Sequence, residues 1–322
     1  MELVGIDDIR AAAKRIAGTV LRTPLLPANW AEPDRPLWIK AEGFQAIGAF
    51  KVRGAANALA ELDESARANG VVAYSSGNHA QAVAHAARAA GIPAVIVIDD
   101  TAPSTKIEAT RQLGAEVVLV PLAERQRVAE DLARTRDAAL IPPFDHPSVI
   151  AGQGTIGLEI AEDLPDVDLV LVPVSGGGLV SGIAVAIKAL CPNAKVFGVE
   201  PELAGDAAAS YEAGHLVRWP SSERVRTIAD GLRAEPSELT FAHFQARLDG
   251  ILTVTEDQIR HAIKTLALRS GLVAEPAGAV ATAAFIFRHQ DLPAGRTVAV
   301  LSGRNVDQDL FAEVMRGSAG RA

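Results

Sequence analysis

One cysteine, Cys191, stands in a chain of 322 residues. No internal disulfide can form, and a lone cysteine in an apolar helical pattern reads as a small buried hydrophobe. Aromatic residues make up only 4%, which argues against stacking platforms for nucleic acid. Excess positive charge is missing too. The formal net charge of −8 opposes attraction to phosphate backbones and anionic membranes. The amino terminus, MELVGIDDIR, carries acids where a secretory signal carries bases and an apolar run. Apolar stretches are broken by Gly, Ser or charge before about 18 residues, short of a membrane span. Tandem repeats and low-complexity tracts are absent as well. The expectation is a cytoplasmic globular protein that binds neither nucleic acid nor membrane.

What is present is an abundant core, with 49% hydrophobic residues, enough for two domains or one large one. A helix from Asp7 to about Ile16 precedes a strand at Leu37–Lys40 and a helix from Lys51 to about Leu62. Short apolar runs then alternate with helical patterns. Strands are expected at Val71–Tyr74, Ala94–Ile98 and Glu116–Val120, with helices at Asn78–Ala90, Ser104–Leu113 and from about Ala123. Such alternation indicates βαβ units and a buried parallel sheet. Ile141–Pro147, written IPPFDHP, breaks the rhythm and is the best domain boundary. A second series follows, with strands Leu169–Val174, Val196–Val199, Ile251–Val254 and Val298–Leu301. Its helices are Leu179–Leu190, Asp257 to about Arg269, and Pro276 to about Phe287. Glu200–Leu248 is long and weakly patterned. The fold class is α/β: two doubly wound domains with mainly parallel sheets. Residues 1–62 and 147–322 would form the larger and 63–146 the smaller.

Three stretches carry chemistry. In IGAFKVRGA, Lys51 sits in apolar company. It is either a snorkelling surface lysine or an amine kept desolvated to react with a carbonyl. The strand ending at Val174 runs into Ser175-Gly176-Gly177-Gly178 and then a helix. Glycines at a strand-to-helix turn leave backbone N–H groups free for a phosphate, though a purely structural turn has the same look. A dinucleotide would suit Glu200, about twenty residues further on, but GGGLVSG is not the GxGxxG spacing. A cofactor with one phosphate and one aldehyde, pyridoxal phosphate, would use Lys51, the glycine turn and Ser302 at the end of the last strand. The third stretch, YSSGNHAQ at Tyr74–Gln81, suits either helix capping or a substrate carboxylate.

The chain resembles the fold-type II pyridoxal-phosphate enzymes (tryptophan synthase β-like), within them the threonine/serine dehydratase and serine racemase family. The resemblance runs nearly end to end: RTPL at Arg22–Leu25, IKAEGFQAIGAFKVRGA at Ile39–Ala55 and YSSGNHAQA at Tyr74–Ala82. It continues through IAGQGTIGLEI at Ile150–Ile160, PVSGGGLVSG at Pro173–Gly182 and GVEPELAGD at Gly198–Asp206. It closes with TIADGL at Thr227–Leu232, EPAGA at Glu275–Ala279 and LSGRNVD at Leu301–Asp307.

That resemblance implies a Schiff-base lysine, Lys51, which also serves as base at the substrate Cα. Phe50 would pack on the pyridine ring, Asn78 would bond its 3′-oxygen, and Gly176, Gly177, Gly178 and Leu179 would hold the phosphate. Ser302 would meet the ring nitrogen, with Gly231 and Glu275 as further cofactor contacts. Ser75, Ser76, Asn78 and His79 form the implied carboxylate loop, Ser76 being also the acid/base opposite Lys51. Arg125 and Asp230 would approach the substrate. Glu200, Asp206 and the carbonyl of Ala204 match a site for magnesium or calcium, hard cations that take oxygen ligands. A homodimer acting on a small amino acid is implied as well. Ala49, Ala80, Ser175 and Arg304 depart from the usual pattern, and Arg304 is expected to pair with Asp307. The implied reaction is β-elimination of L-threonine or L-serine to a 2-oxo acid and ammonia. Serine racemisation and 3-hydroxyaspartate dehydration are the rivals within the family. A nicotinamide-dependent oxidoreductase and a non-catalytic amino-acid-binding protein are the rivals outside it.

Overall fold

Aliphatic runs too short for helices become buried strands, and the stretches between them close back as helices. The computed structural model describes residues 2–317. Its strands are β1 (Leu25–Pro27), β2 (Leu37–Ala41), β3 (Val71–Tyr74), β4 (Ala94–Asp99) and β5 (Glu116–Val120). They continue as β6 (Ala139–Leu140), β7 (Leu169–Pro173), β8 (Lys195–Pro201), β9 (Gly250–Val254) and β10 (Thr297–Leu301). One sheet has the order β1-β2-β10-β7-β8-β9 and the other β5-β4-β3-β6. Every pairing is parallel except β1 against β2. The fold is therefore α/β with mainly parallel sheets, as expected.

The central strands are buried on both faces. Leu169 and Leu171 of β7 join one hydrophobic cluster while Val170 and Val172 join another across the sheet. This is the strand's two-residue period with a core on each side.

Several elements escape the sequence pattern. The helix Pro147–Asp163 is buried along most of its length, so no amphipathic stripe marks it, and its three glycines are each worse helix formers than alanine by about 1 kcal/mol. Packing overrides that propensity. A Cβ on Gly152 would lie 2.7 Å from the Arg53 carbonyl oxygen, and one on Gly157 would lie 2.8 Å from the Ala186 Cβ. The glycines let helices Lys51–Ala60 and Gly178–Leu190 approach this central helix backbone to backbone. Helices Glu64–Asn69, Asp206–Ala213, Glu238–Arg247 and Gln308–Arg316, with β1 and β6, were also unpatterned. The helix expected from Ala123 begins at Arg125, after a turn of 3₁₀ helix.

A buried ionic cluster fixes the start of the Lys51 helix. Arg53 Nε donates to Glu42 at 2.8 Å and Nη1 to Glu159 at 2.6 Å. Lys40 Nζ meets the other Glu159 oxygen at 2.6 Å. Burial alone raises the Glu42 carboxyl, but the Arg53 charge, the hydrogen bonds from Arg53 and Thr23 and the Lys40 charge together hold the group below its usual range.

Candidate active site

Main chain joins two of the site's parts. Ala49 bridges Gly303, and the Phe50 N–H donates to the Ser302 carbonyl at 3.0 Å. Lys51, the first residue of its helix, therefore starts beside the end of β10, where α/β sheets gather ligands. Lys51 Nζ donates to the Pro143 carbonyl at 2.6 Å and lies 5.1 Å from the centre of the Phe50 ring. No carboxylate pairs with it among the described residues. Burial pushes its pKa down to about 8, because desolvation penalises the ammonium. Lys51 is no snorkelling surface residue.

The IPPFDHP segment is a wall of this site. The Ile141 carbonyl takes His79 Nε2 at 2.9 Å, the Pro143 carbonyl takes Lys51, and the Phe144 ring covers the glycine turn. A Cβ on Gly176 would strike the Phe144 ring, and one on Gly177 would strike Phe244. Gly177 also has φ +94°, the left-handed region that suits glycine. No backbone acceptor takes the Gly176 and Gly177 amides among the described residues. Gly178 and Leu179 open a helix whose first N–H groups lack intrahelical partners. Ser175, the departure before the glycines, is tied by its hydroxyl to the Ala234 backbone.

His79 points inward. It is 3% exposed, its Nδ1 has no partner, and burial, helped by the nearby Lys51 charge, drops its pKa to about 3. It is a neutral ring set into the floor. Asn78 Nδ2 donates to Glu275 at 2.8 Å, and Asn305 Nδ2 donates to Asn78 Oδ1 at 2.7 Å. Glu275 is pushed up to about 7 by burial first and by the Asp230 charge second. Asp230 is itself held by Lys106 at 2.9 Å, and Gly231 packs toward Ala277. Ser302 is buried with its hydroxyl 3.5 Å from the Ala277 carbonyl.

Ser75, Ser76 and Arg125 form a separate edge. Ser75 Oγ accepts the Gly77 N–H at 3.1 Å. Arg125 Nη1 reaches Ser76 Oγ at 3.3 Å and Asp99 at 3.4 Å. No hydrogen bond joins Ser76 to Lys51. Arg304 differs from expectation: it makes no ion pair among the described residues, and Asp307 instead accepts the Asp309 and Leu310 N–H groups, capping the last helix.

Glu200 lies at the end of β8 near Asp206, whose charge it feels, and both are buried, as is Ala204 in the turn between them. Glu200 accepts the N–H groups of Ala207 at 3.3 Å and Ala208 at 2.8 Å, while Asp206 Oδ2 has no partner. Burial raises both carboxyls, Glu200 strongly and Asp206 to about 6. An unpartnered buried carboxylate oxygen fits a hard cation. No group of three or more His, Cys, Asp or Glu side chains gathers among the described residues, so a cation here would need backbone oxygen or water besides the two carboxylates.

Sequence reasoning missed Pro143, Phe144, Asn305 and Asp99. Backbone carbonyls and apolar walls leave no residue-type signature. The doubled proline was a signal, read only as a boundary.

The site fits a ligand carrying one aldehyde and one phosphate: an amine with a lowered pKa is held by Pro143, and Phe144, the next residue, packs on a glycine turn whose amides have no backbone acceptor. Similarity to known proteins agrees. Residues 16–303 match the family model described as pyridoxal-phosphate dependent enzyme. The chain is 39% identical over 316 residues to the L-threo-3-hydroxyaspartate ammonia-lyase of Saccharomyces cerevisiae, covering 96% of each chain. It is 41% identical to the L-threonine ammonia-lyase of Thermotoga maritima, covering 97% of this chain and 78% of that one. The structure of maize serine racemase superposes with a TM-score of 0.92 at 37% identity, covering 98% of both. This chain belongs to the pyridoxal-phosphate dependent enzymes of fold-type II.

Proposed function

We propose that the chain removes water from a β-hydroxy amino acid, L-threonine first and L-serine second, releasing a 2-oxo acid and ammonia. The observation that carries this reading is the Lys51 amine, half-buried without a carboxylate partner and 2.6 Å from the Pro143 carbonyl. Lys51 would bind the cofactor, the Gly176–Leu179 amides its phosphate, Asn78 its 3′-oxygen and Ser302 its ring nitrogen. Phe50, Gly231 and Glu275 would line the ring. When bound, pyridoxal phosphate draws the electron pair released at Cα into its ring. Lys51 takes the Cα proton, and a pKa of about 8 suits a base working near neutrality. The Ser302 hydroxyl is neutral and does not force a proton onto the ring nitrogen. That favours prompt loss of the β-hydroxyl as water over transamination. Backbone N–H groups at the Asn78 helix start, with Ser75 and Ser76, would orient the substrate carboxylate.

One observation favours a second reading within the family. Arg125 Nη1 donates to Ser76 Oγ at 3.3 Å while its other contact is Asp99 at 3.4 Å. A guanidinium there would hold the side-chain carboxylate of 3-hydroxyaspartate. Racemisation would need Ser76 to reach Cα opposite Lys51, and Ser76 instead bonds Arg125. Offering the cofactor-loaded enzyme L-threonine, L-serine and L-threo-3-hydroxyaspartate separately, then assaying 2-oxo acid and the opposite enantiomer, tests all three. The account expects 2-oxo acid from threonine. D-serine as the main product, or turnover of the acidic substrate alone, would overturn it.

We propose further that Glu200, Asp206 and the Ala204 carbonyl hold a magnesium or calcium ion. We also read the two sheets as two domains, residues 63–146 and the remainder, with the site where they meet.

A further inference from the structure

We propose that Asn305 is a positioning residue that fixes which end of the Asn78 amide faces the cofactor. The inference rests on the reading that Asn78 meets the 3′-oxygen. Asn305 Nδ2 donates to the Ile47 carbonyl at 2.8 Å and to Asn78 Oδ1 at 2.7 Å. The Ile47 carbonyl can only accept, so the nitrogen end of Asn305 has to face it. Asn78 must then present its oxygen to Asn305 and its nitrogen to the other side. One N–H of that nitrogen goes to Glu275 at 2.8 Å. The second has no partner among the described residues, and it is the donor left for an acceptor oxygen on the ligand.

The backbone is arranged around this relay. Gly48, three residues before Lys51, has φ +74°, and a Cβ there would strike the Asn305 side chain. Glu275 has the same need on its side, since a Cβ on Gly303 would strike its carboxyl. The Arg304 N–H donates to the Gly48 carbonyl at 2.9 Å, pinning the Asn305 loop to the segment that carries Lys51. Without Asn305, water competes for Asn78 Oδ1 and the Glu275 bond is left alone to keep the amide from turning its oxygen toward the ligand. That orientation sets two acceptors against each other.

The test measures the dissociation constant for pyridoxal 5′-phosphate by equilibrium dialysis, and the pH titration of the loaded protein's visible absorbance. It uses the full chain and the variants Asn78→Ala, Asn305→Ala, Asn305→Asp and Asn78→Ala/Asn305→Ala. Asn305→Ala is expected to weaken binding about 3- to 10-fold, the range of one neutral hydrogen bond. Asn305→Asp, nearly isosteric but only an acceptor, is expected to weaken it more and to displace the absorbance titration, because Asn78 must reverse to donate to it. The double variant should bind no more weakly than Asn78→Ala alone, since coupled residues do not add. Unchanged binding in both Asn305 variants, or losses that multiply in the double variant, overturns the inference. Asn78→Ala with full affinity overturns it at Asn78. A wild-type chain that takes up no cofactor overturns the proposed function itself.

Discussion

The Phe50 N–H donates to the Ser302 carbonyl at 3.0 Å, so the lysine-bearing helix and the last parallel strand are joined by main chain. Side chains at Lys51 and Ser302 can vary without moving one backbone from the other. Reactivity at Lys51 is thereby separable from the scaffold.

Burial sets when Lys51 can react. Its neutral form, the nucleophile, accumulates as pH rises through about 8, where an ordinary lysine needs about 10.4. The rate of recombination of the apoprotein with pyridoxal phosphate should rise with pH to a midpoint near 8. A midpoint above about 10 would show a solvated amine.

The glycine turn should tolerate no side chain while Phe144 is in place. Gly176→Ala is expected to lower cofactor affinity at least about tenfold, a cost of about 1.4 kcal/mol, with the fold retained by circular dichroism. Adding Phe144→Ala removes the ring the new methyl would strike and should recover part of that loss. A double variant weaker than both singles would refute the steric account.

Arg125 separates the substrate readings. If it holds a second carboxylate, Arg125→Ala should cut kcat/KM for L-threo-3-hydroxyaspartate about a hundredfold, the scale of losing a charge-assisted pair. The same variant should change threonine turnover less than about threefold. Equal losses on both substrates would assign Arg125 to the α-carboxylate loop through Ser76.

A cation at Glu200 and Asp206 should stabilise by mass action. Millimolar magnesium or calcium is expected to raise the Tm of chelator-treated protein, and Asp206→Asn should abolish the rise. An unchanged Tm in the wild-type chain would remove the cation from the account.

The sequence disclosed what periodicity and residue type can carry. Strands β3 and β5 and the helix Asn78–Ala90 fall where the alternating runs put them. The helix Pro147–Asp163 did not, because its glycines serve close packing against Arg53 and Ala186, a partner relationship no local window contains. The same divide runs through the site. Lys51 and the glycine turn are chemical words in the chain, whereas the Pro143 carbonyl that meets the amine exists only after folding. Asp307 shows the converse: a nearby opposite charge invited a pair with Arg304, and helix capping took the carboxylate instead.

The most direct measurement is reduction of the cofactor-loaded protein with borohydride, followed by peptide mass spectrometry. The account predicts one pyridoxyl adduct, on the Lys51 side chain, with Lys51→Ala protein unlabelled. An adduct on another lysine, or none on protein that has taken up the cofactor, would contradict it.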